Sequence, residues 1–165
     1  MRQGARLQPL DRSVGYVLKR ATTALHNAMA TSLRPLGLTV PQYSCLELLS
    51  QIPQQSNAQL ARGMFVTPQS MNDVLRGLQS RGLVERPDEP AVGRARPTKL
   101  TAAGRAQLAR ARDALAPIER RMLAKMEAAD QERLLVYLRS ITDSLEQRAE
   151  DTDSAVWRPP AAPER

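Results

Sequence analysis

Aromatic side chains are nearly missing from this chain: its 165 residues include one Phe, one Trp and three Tyr. A core must therefore be built from Leu, Ala, Val, Ile and Met. That inventory suits packed helices better than a β-sandwich, whose pleated faces favour aromatic residues. The length fits one domain, or one domain plus an interface element. A content of 42% hydrophobic and 25% charged residues is that of a globular protein. No run approaches about 18 apolar residues, so no membrane span is expected. Residues 1–30 lack an apolar stretch leading to a small-residue cleavage site, which argues against secretion. The single cysteine, Cys45, excludes an intrachain disulfide and leaves a Cys-based zinc site without ligands. A reducing cytoplasm is the expected compartment.

Helical spacing of apolar residues organises most of the chain. Val14, Val17, Leu18, Ala21, Leu25, Ala28, Met29 and Leu33 predict an amphipathic helix over 12–33, ended by Pro35 and Gly37. Thr39-Val40-Pro41 reads as a helix start, and Tyr43, Leu46 and Leu49 face one way until Pro53. Ser56 and Gln59 have the spacing of a capping box for a short helix to about Gly63. After Met64-Phe65-Val66, Thr67 caps a further helix with Pro68 at its first position. Met71, Val74, Leu75 and Leu78 form its apolar stripe, and Gly82 follows its end.

Two short helices joined by about three residues make a helix-turn-helix. The second exposes Gln69, Ser70, Asn72, Asp73 and Arg76, where a recognition helix meets base edges. Gln and Asn can pair with adenine, Arg with guanine and Asp with cytosine. Thr67 caps this helix and is a candidate phosphate contact. Leu83–Arg86 and Arg94–Leu100, around the turn-forming 87–93, predict a β-hairpin wing carrying Arg94 and Arg96. Pro97 cannot donate to a ladder, so the return strand is expected at an edge. Thr101 caps another long helix, which Pro117 should kink or interrupt. Asp130 is expected to cap a last helix bearing Leu134, Leu135, Leu138, Ile141 and Leu145.

The formal charge is +7, and it is unevenly placed. Residues 1–55 carry +4, 56–112 carry +6, and 113–165 carry −3. From Gly93 to Arg112 there are six basic residues and no acid. Such a basic segment on a chain with an acidic end is the footprint of a nucleic-acid binder.

Several short pieces, in order from Leu36 to about Ala109, resemble the MarR family of winged helix-turn-helix regulators. They are Leu36-Gly37-Leu38-Thr39 with Gln42-Tyr43, Leu60-Ala61, and Val66-Thr67-Pro68. Leu78 with Arg81-Gly82-Leu83-Val84, and Leu100-Thr101 with Gly104-Arg105, complete the series. The resemblance implies a mainly α fold with a small β-wing: a DNA-binding lobe plus a helical dimerisation region. It implies a division into a flexible start (1–10), an N-terminal dimerisation helix (11–35) and the winged helix-turn-helix (36–110). C-terminal dimerisation helices (111–149) and a disordered tail (150–165) follow. It further implies a homodimeric repressor on a palindromic operator in double-stranded DNA, with half-sites one helical turn apart. The family's wing has an Asp two residues before its main arginine, where this chain has Val92 before Arg94. Phe65 stands in the turn where the family often has Gly, so the turn must avoid a strongly positive φ or strain that residue.

Many relatives are released from DNA by small aromatic or phenolic acids. By position, Tyr16, Arg20, His26 and Tyr43 are candidates for such a pocket, with Arg20 pairing a carboxylate. Some relatives sense oxidants through a cysteine, which makes redox sensing by Cys45 one alternative. A sequence-nonspecific winged-helix architectural or partner-binding protein is another. Catalysis is poorly supported: His26 is the only histidine, with no Cys, Asp or Glu at i±3 or i±4. There is no Gly-rich phosphate loop, and no metal or cofactor is expected.

Overall fold

The computed structural model describes residues 9–86 and 97–153, with side chains through Leu145. The expected loose start over 1–8, the turn 87–93 with Arg94 and Arg96, and residues 154–165 of the expected tail lie outside the described residues. The chain divides into two compact units, Met1–Arg121 and Met122–Arg165.

In the first unit, a 3-10 turn (Leu10–Arg12) leads into α1 (Val14–Leu33), where the Ser13 hydroxyl accepts the Tyr16 N–H at 3.4 Å. Only Leu33 of α1 is fully buried, with Met29 packed partly against the same core. The rest of its apolar stripe reaches solvent, as at Val14 (70% exposed) and Val17 (45%). A 3-10 turn, Arg34–Leu36, then closes on Gly37 at φ +65°.

Helix α2 (Val40–Gln51) opens with a capping box: Thr39 Oγ1 accepts the Gln42 N–H, and Gln42 Oε1 accepts the Thr39 N–H. Ser56 and Gln59 repeat the device at α3 (Asn57–Gly63). Each box satisfies two donors that a helix start otherwise leaves bare. Helix α4 (Pro68–Ser80) follows its Thr67 cap and ends before Gly82 at φ +64°. The core of this unit joins Leu33 and Leu38 to Cys45, Leu46 and Leu49 of α2, Leu60 of α3, and Met71, Leu75 and Leu78 of α4.

Strand β1 (Val84–Glu85) pairs antiparallel with β2 (Lys99–Leu100), Val84 facing Leu100 and Glu85 facing Lys99. The return strand is not wholly an edge. The Thr98 N–H donates to the Gln55 carbonyl at 2.9 Å, forming a bridge beside Pro97. Proline thus stands one residue before the point where a donor is needed.

Helix α5 (Ala102–Leu123) begins where Thr101 Oγ1 accepts the Gly104 N–H at 3.0 Å and donates to the Gly82 carbonyl at 2.7 Å. Gly104 is required there: a Cβ would run into the Leu83 carbonyl. Pro117 does not interrupt α5, which is continuous to Leu123. Proline frees only the Asp113 carbonyl, and both residues lie on the exposed side, where water can take the vacated bond.

The second unit is built on α6 (Ala128–Asp153). The helix starts two residues ahead of Asp130, which is therefore a first-turn acid paired with Arg133 at 3.0 Å, not the cap. An acid in the first turn still complements the helix dipole. The helix also runs through residues 150–153, assigned above to the disordered tail. None of its described side chains is buried: Leu135, Val136 and Leu145 are 53%, 61% and 66% exposed. No helix among the described residues is long and apolar enough to cross a membrane.

Candidate nucleic-acid interface

The face of α4 follows from how the helix is pinned. Met71, Leu75 and Leu78 are fully buried, which fixes its rotation. At its start, Thr67 Oγ1 accepts the Ser70 N–H at 3.1 Å, and the two hydroxyls share a 2.9 Å hydrogen bond. Asn57 Nδ2 donates to the Pro68 carbonyl at 3.1 Å and ties α3 to the first turn of α4. Further along, Gln42 of α2 lies so close to Gly77 that a Cβ there would approach its Nε2 to 2.8 Å.

Pinned this way, α4 turns Gln69, Ser70, Asp73 and Arg76 to solvent and leaves Asn72 half-buried. Positions 69, 73 and 76 lie on successive turns of one face. Arg76 Nη1 stands 3.3 Å from Asp73 Oδ1, with the side chains 75% and 60% exposed. At that exposure the pair contributes little to stability. Ser70 is half-committed to the cap, so Gln69 and Arg76 are the long polar side chains this face presents.

Two arginines of the basic stretch have partners within the fold. Arg112 is bound bidentately to Glu47 of α2 (Nε to Oε2, 2.9 Å; Nη2 to Oε1, 2.8 Å) and also donates to Ser50 Oγ at 3.1 Å. Arg105 donates to the Leu100 carbonyl at 3.0 Å. The acid missing from the local sequence is supplied from 65 residues away. Lys99 and Arg110 remain exposed. The Glu47 carboxyl is held below its ordinary pKa chiefly by the Arg112 hydrogen bonds, and it also accepts from Gln51 Nε2 and the Tyr43 hydroxyl. Burial, then Glu47, pushes the Tyr43 hydroxyl up.

The four candidate effector residues do not converge within one chain. Tyr16 and Arg20 lie on one open face of α1, with the Arg20 guanidinium 5.9 Å from the centre of the Tyr16 ring. His26 is exposed elsewhere on α1, while Tyr43 is half-buried beside Glu47. Cys45 is fully buried among leucines, and burial pushes its thiol up to about 12. A thiol in that state holds almost no thiolate, the form that oxidants attack.

Sequence reasoning missed Arg81 and Gln107. Arg81 donates to the Gly37 carbonyl at 2.6 Å and the Leu36 carbonyl at 3.2 Å, and Gln107 donates to Leu36 at 2.8 Å. Both satisfy a helix end more than 40 residues distant, and no local spacing could have signalled it.

Phe65 takes the strained option. It sits at φ +54°, the left-handed region, and is 80% exposed. The Phe65 and Val66 N–H groups bond the Arg62 and Ala61 carbonyls, the closure that normally places glycine at this position. The same pair of bonds closes on Gly37 and on Gly82. A non-glycine residue there costs roughly 1–2 kcal/mol.

Comparison with known proteins agrees with this geometry. The model of the MarR family matches residues 36–95. The HTH-type transcriptional repressor Rv2887 of Mycobacterium tuberculosis is 45% identical over 121 residues, covering 73% of this chain and 87% of that protein. The crystal structure of M. tuberculosis Rv2887 with DNA superposes with a TM-score of 0.66 at 40% identity, covering 79% of this chain and 98% of that one. Its complex with salicylic acid gives 0.63 at 42% identity, covering 79% and 97%.

Proposed function

This chain belongs to the MarR family of winged-helix transcriptional regulators, and on that premise we propose that it is a homodimeric repressor of a palindromic operator, released by a small aromatic acid. The observation that carries the reading is α4. A helix locked by its cap and three buried side chains offers Gln69 and the Asp73-paired Arg76 to solvent. Those are the groups that read adenine and guanine in the major groove. Thr67 and Ser70 sit at the helix start, against a phosphate; Asn72 borders the face. Arg94 and Arg96 of the wing contact the minor groove or phosphates beside it. The relative Rv2887 has been crystallised with DNA, which supports the same use here.

Dimerisation is supported by apolar surface without cover. Leu10, Val14 and Val17 in the first unit, and Leu135, Val136 and Leu145 in α6, are all exposed in the single chain. Apolar stripes of that size mark interfaces, and a helix that buries so little is marginal alone. Partner helices covering α1 and α6 would use the expected segments 11–35 and 111–149.

For the effector, Arg20 would pair the carboxylate and Tyr16 stack on the ring at the open face of α1. Salicylic acid bound to Rv2887 supports that ligand class. His26 and Tyr43 would join only through the second protomer or a rearrangement. Release is a shift between dimer states whose recognition helices match or miss the half-site spacing.

Selection of bound duplexes from a random-sequence DNA pool tests this, with and without salicylate. A palindromic consensus whose binding weakens in salicylate is the expected result. Binding that depends on salt but not on sequence overturns it and leaves an architectural protein.

A further inference from the structure

Three helix ends in this chain close with the same two backbone bonds, and two of them place glycine in the left-handed position, at Gly37 and Gly82. The third places Phe65 there. Nothing among the described residues accounts for that choice. The ring is 80% exposed, so burial does not retain it. The turn's hydrogen bonds are all made by backbone groups, so the side chain does not build the turn. The exposed ring adjoins Val66 in the chain, itself 37% exposed, and stands two residues before the Thr67 cap of α4. A strained turn thus holds out the chain's only phenylalanine next to the helix that carries Gln69 and Arg76.

We propose that Phe65 is a DNA contact: its ring packs on the apolar C–H surface of the duplex, a deoxyribose or a thymine methyl, at the rim of the groove entered by α4. The inference rests on the reading of α4 as the recognition helix. An aromatic ring suits that place. It offers a large rigid surface with few torsions to immobilise, and thymine methyls are the apolar feature of the major groove. Because the ring is uncharged, the contact adds affinity without releasing counterions.

Phe65→Gly tests it, since glycine relieves the strain and the variant should fold at least as well. Against the duplex selected from the random pool, the variant should bind about tenfold more weakly. Its thermal midpoint should equal or exceed that of the wild type, and the salt dependence of binding should keep its slope. Phe65→Leu should recover part of the affinity. Replacing thymine by uracil, one position at a time, then separates the two sources. A position that weakens wild-type binding but not Phe65→Gly assigns a methyl; no such position assigns the sugar. Equal affinity of Phe65→Gly and wild type overturns the proposal. So does a lowered thermal midpoint, which would mean that the ring acts within the fold, or a changed oligomeric mass, which would mean that it contacts a second copy. A pool that yields no consensus sinks the reading of α4 itself; a consensus bound equally by both proteins sinks only the Phe65 contact.

Discussion

Replacing Gly104 by Ala should destabilise the fold by about 3 kcal/mol, although it adds one methyl group. The new Cβ would collide with the Leu83 carbonyl, a backbone atom immediately before β1 that cannot rotate aside. Relief requires α5 to move away from the strand, and overpacking of this kind costs about 1–3 kcal/mol. The same displacement pulls on the helix cap. Thr101 N–H and Oγ1 both reach the Leu83 carbonyl at 3.2 Å, and Oγ1 also bonds the Gly82 carbonyl and the Gly104 N–H. Loss of a threonine cap adds about 1 kcal/mol. For a chain of this size, the sum corresponds to a fall of about 6–12 °C in the unfolding midpoint. Thermal and urea unfolding followed by far-UV circular dichroism, at one fixed protein concentration, would measure it. Gly15→Ala is the control: nothing lies within 4 Å of the added carbon, so the change should stabilise by roughly 0.5 kcal/mol. A Gly104→Ala variant within about 0.5 kcal/mol of wild type would refute the close approach of α5 to β1.

Other expectations follow from the same contacts. Arg76→Ala should leave stability nearly unchanged, because the pair with Asp73 is exposed, yet lose about 10- to 100-fold in affinity for the selected duplex with relaxed base preference. Equal affinity and an unchanged consensus would remove Arg76 from the recognition face. The Glu47–Arg112 contact gives a signed pH dependence. The folded pKa of Glu47 is depressed, so its stabilisation is complete above the ordinary value of 4.5 and is lost as pH falls below it. Acid unfolding curves should show a smaller loss in Glu47→Gln; parallel curves would refute the coupling. Cys45, buried with its thiol pushed up to about 12, should resist thiol reagents until the protein unfolds. Rapid labelling of the native protein, or loss of DNA binding in peroxide that Cys45→Ser abolishes, would reverse that.

What the sequence made legible was mostly local. Ser56 with Gln59 announces α3 because a cap and its partner stand three residues apart, and Thr39-Val40-Pro41 announces α2 through its cap and first-turn proline. Asp130 misleads for the same reason: an acid suits the first turn nearly as well as the cap. Pro117 does not stop α5, because part of a proline's cost depends on whether water can reach the carbonyl it frees, which its neighbours in sequence do not tell. Charge is legible only in part. The acid-free stretch ending at Arg112 overstates its free positive charge by one, because Glu47 arrives from α2 to pair with Arg112. A count along the chain cannot see a pairing made by the fold.

That correction narrows the candidate DNA-binding surface. With Arg112 paired to Glu47, the candidates among the described residues are α4, its turn, Lys99, Arg105 and Arg110. Affinity then depends less on pooled positive charge and more on how firmly α4 is held. The fold supplies that firmness from four directions: the Thr67 cap, the Asn57 amide on Pro68, the close fit of Gln42 over Gly77, and the buried side chains beneath. A helix so restrained loses little freedom when it docks, and each base contact it makes is discounted less by ordering. Loosening it without touching a base-facing group should therefore weaken specific binding more than nonspecific binding. Asn57→Ala removes one of the four restraints and tests this directly. The ratio of affinities for selected and random duplexes should fall while the salt slope holds, and an unchanged ratio would show that the remaining three suffice.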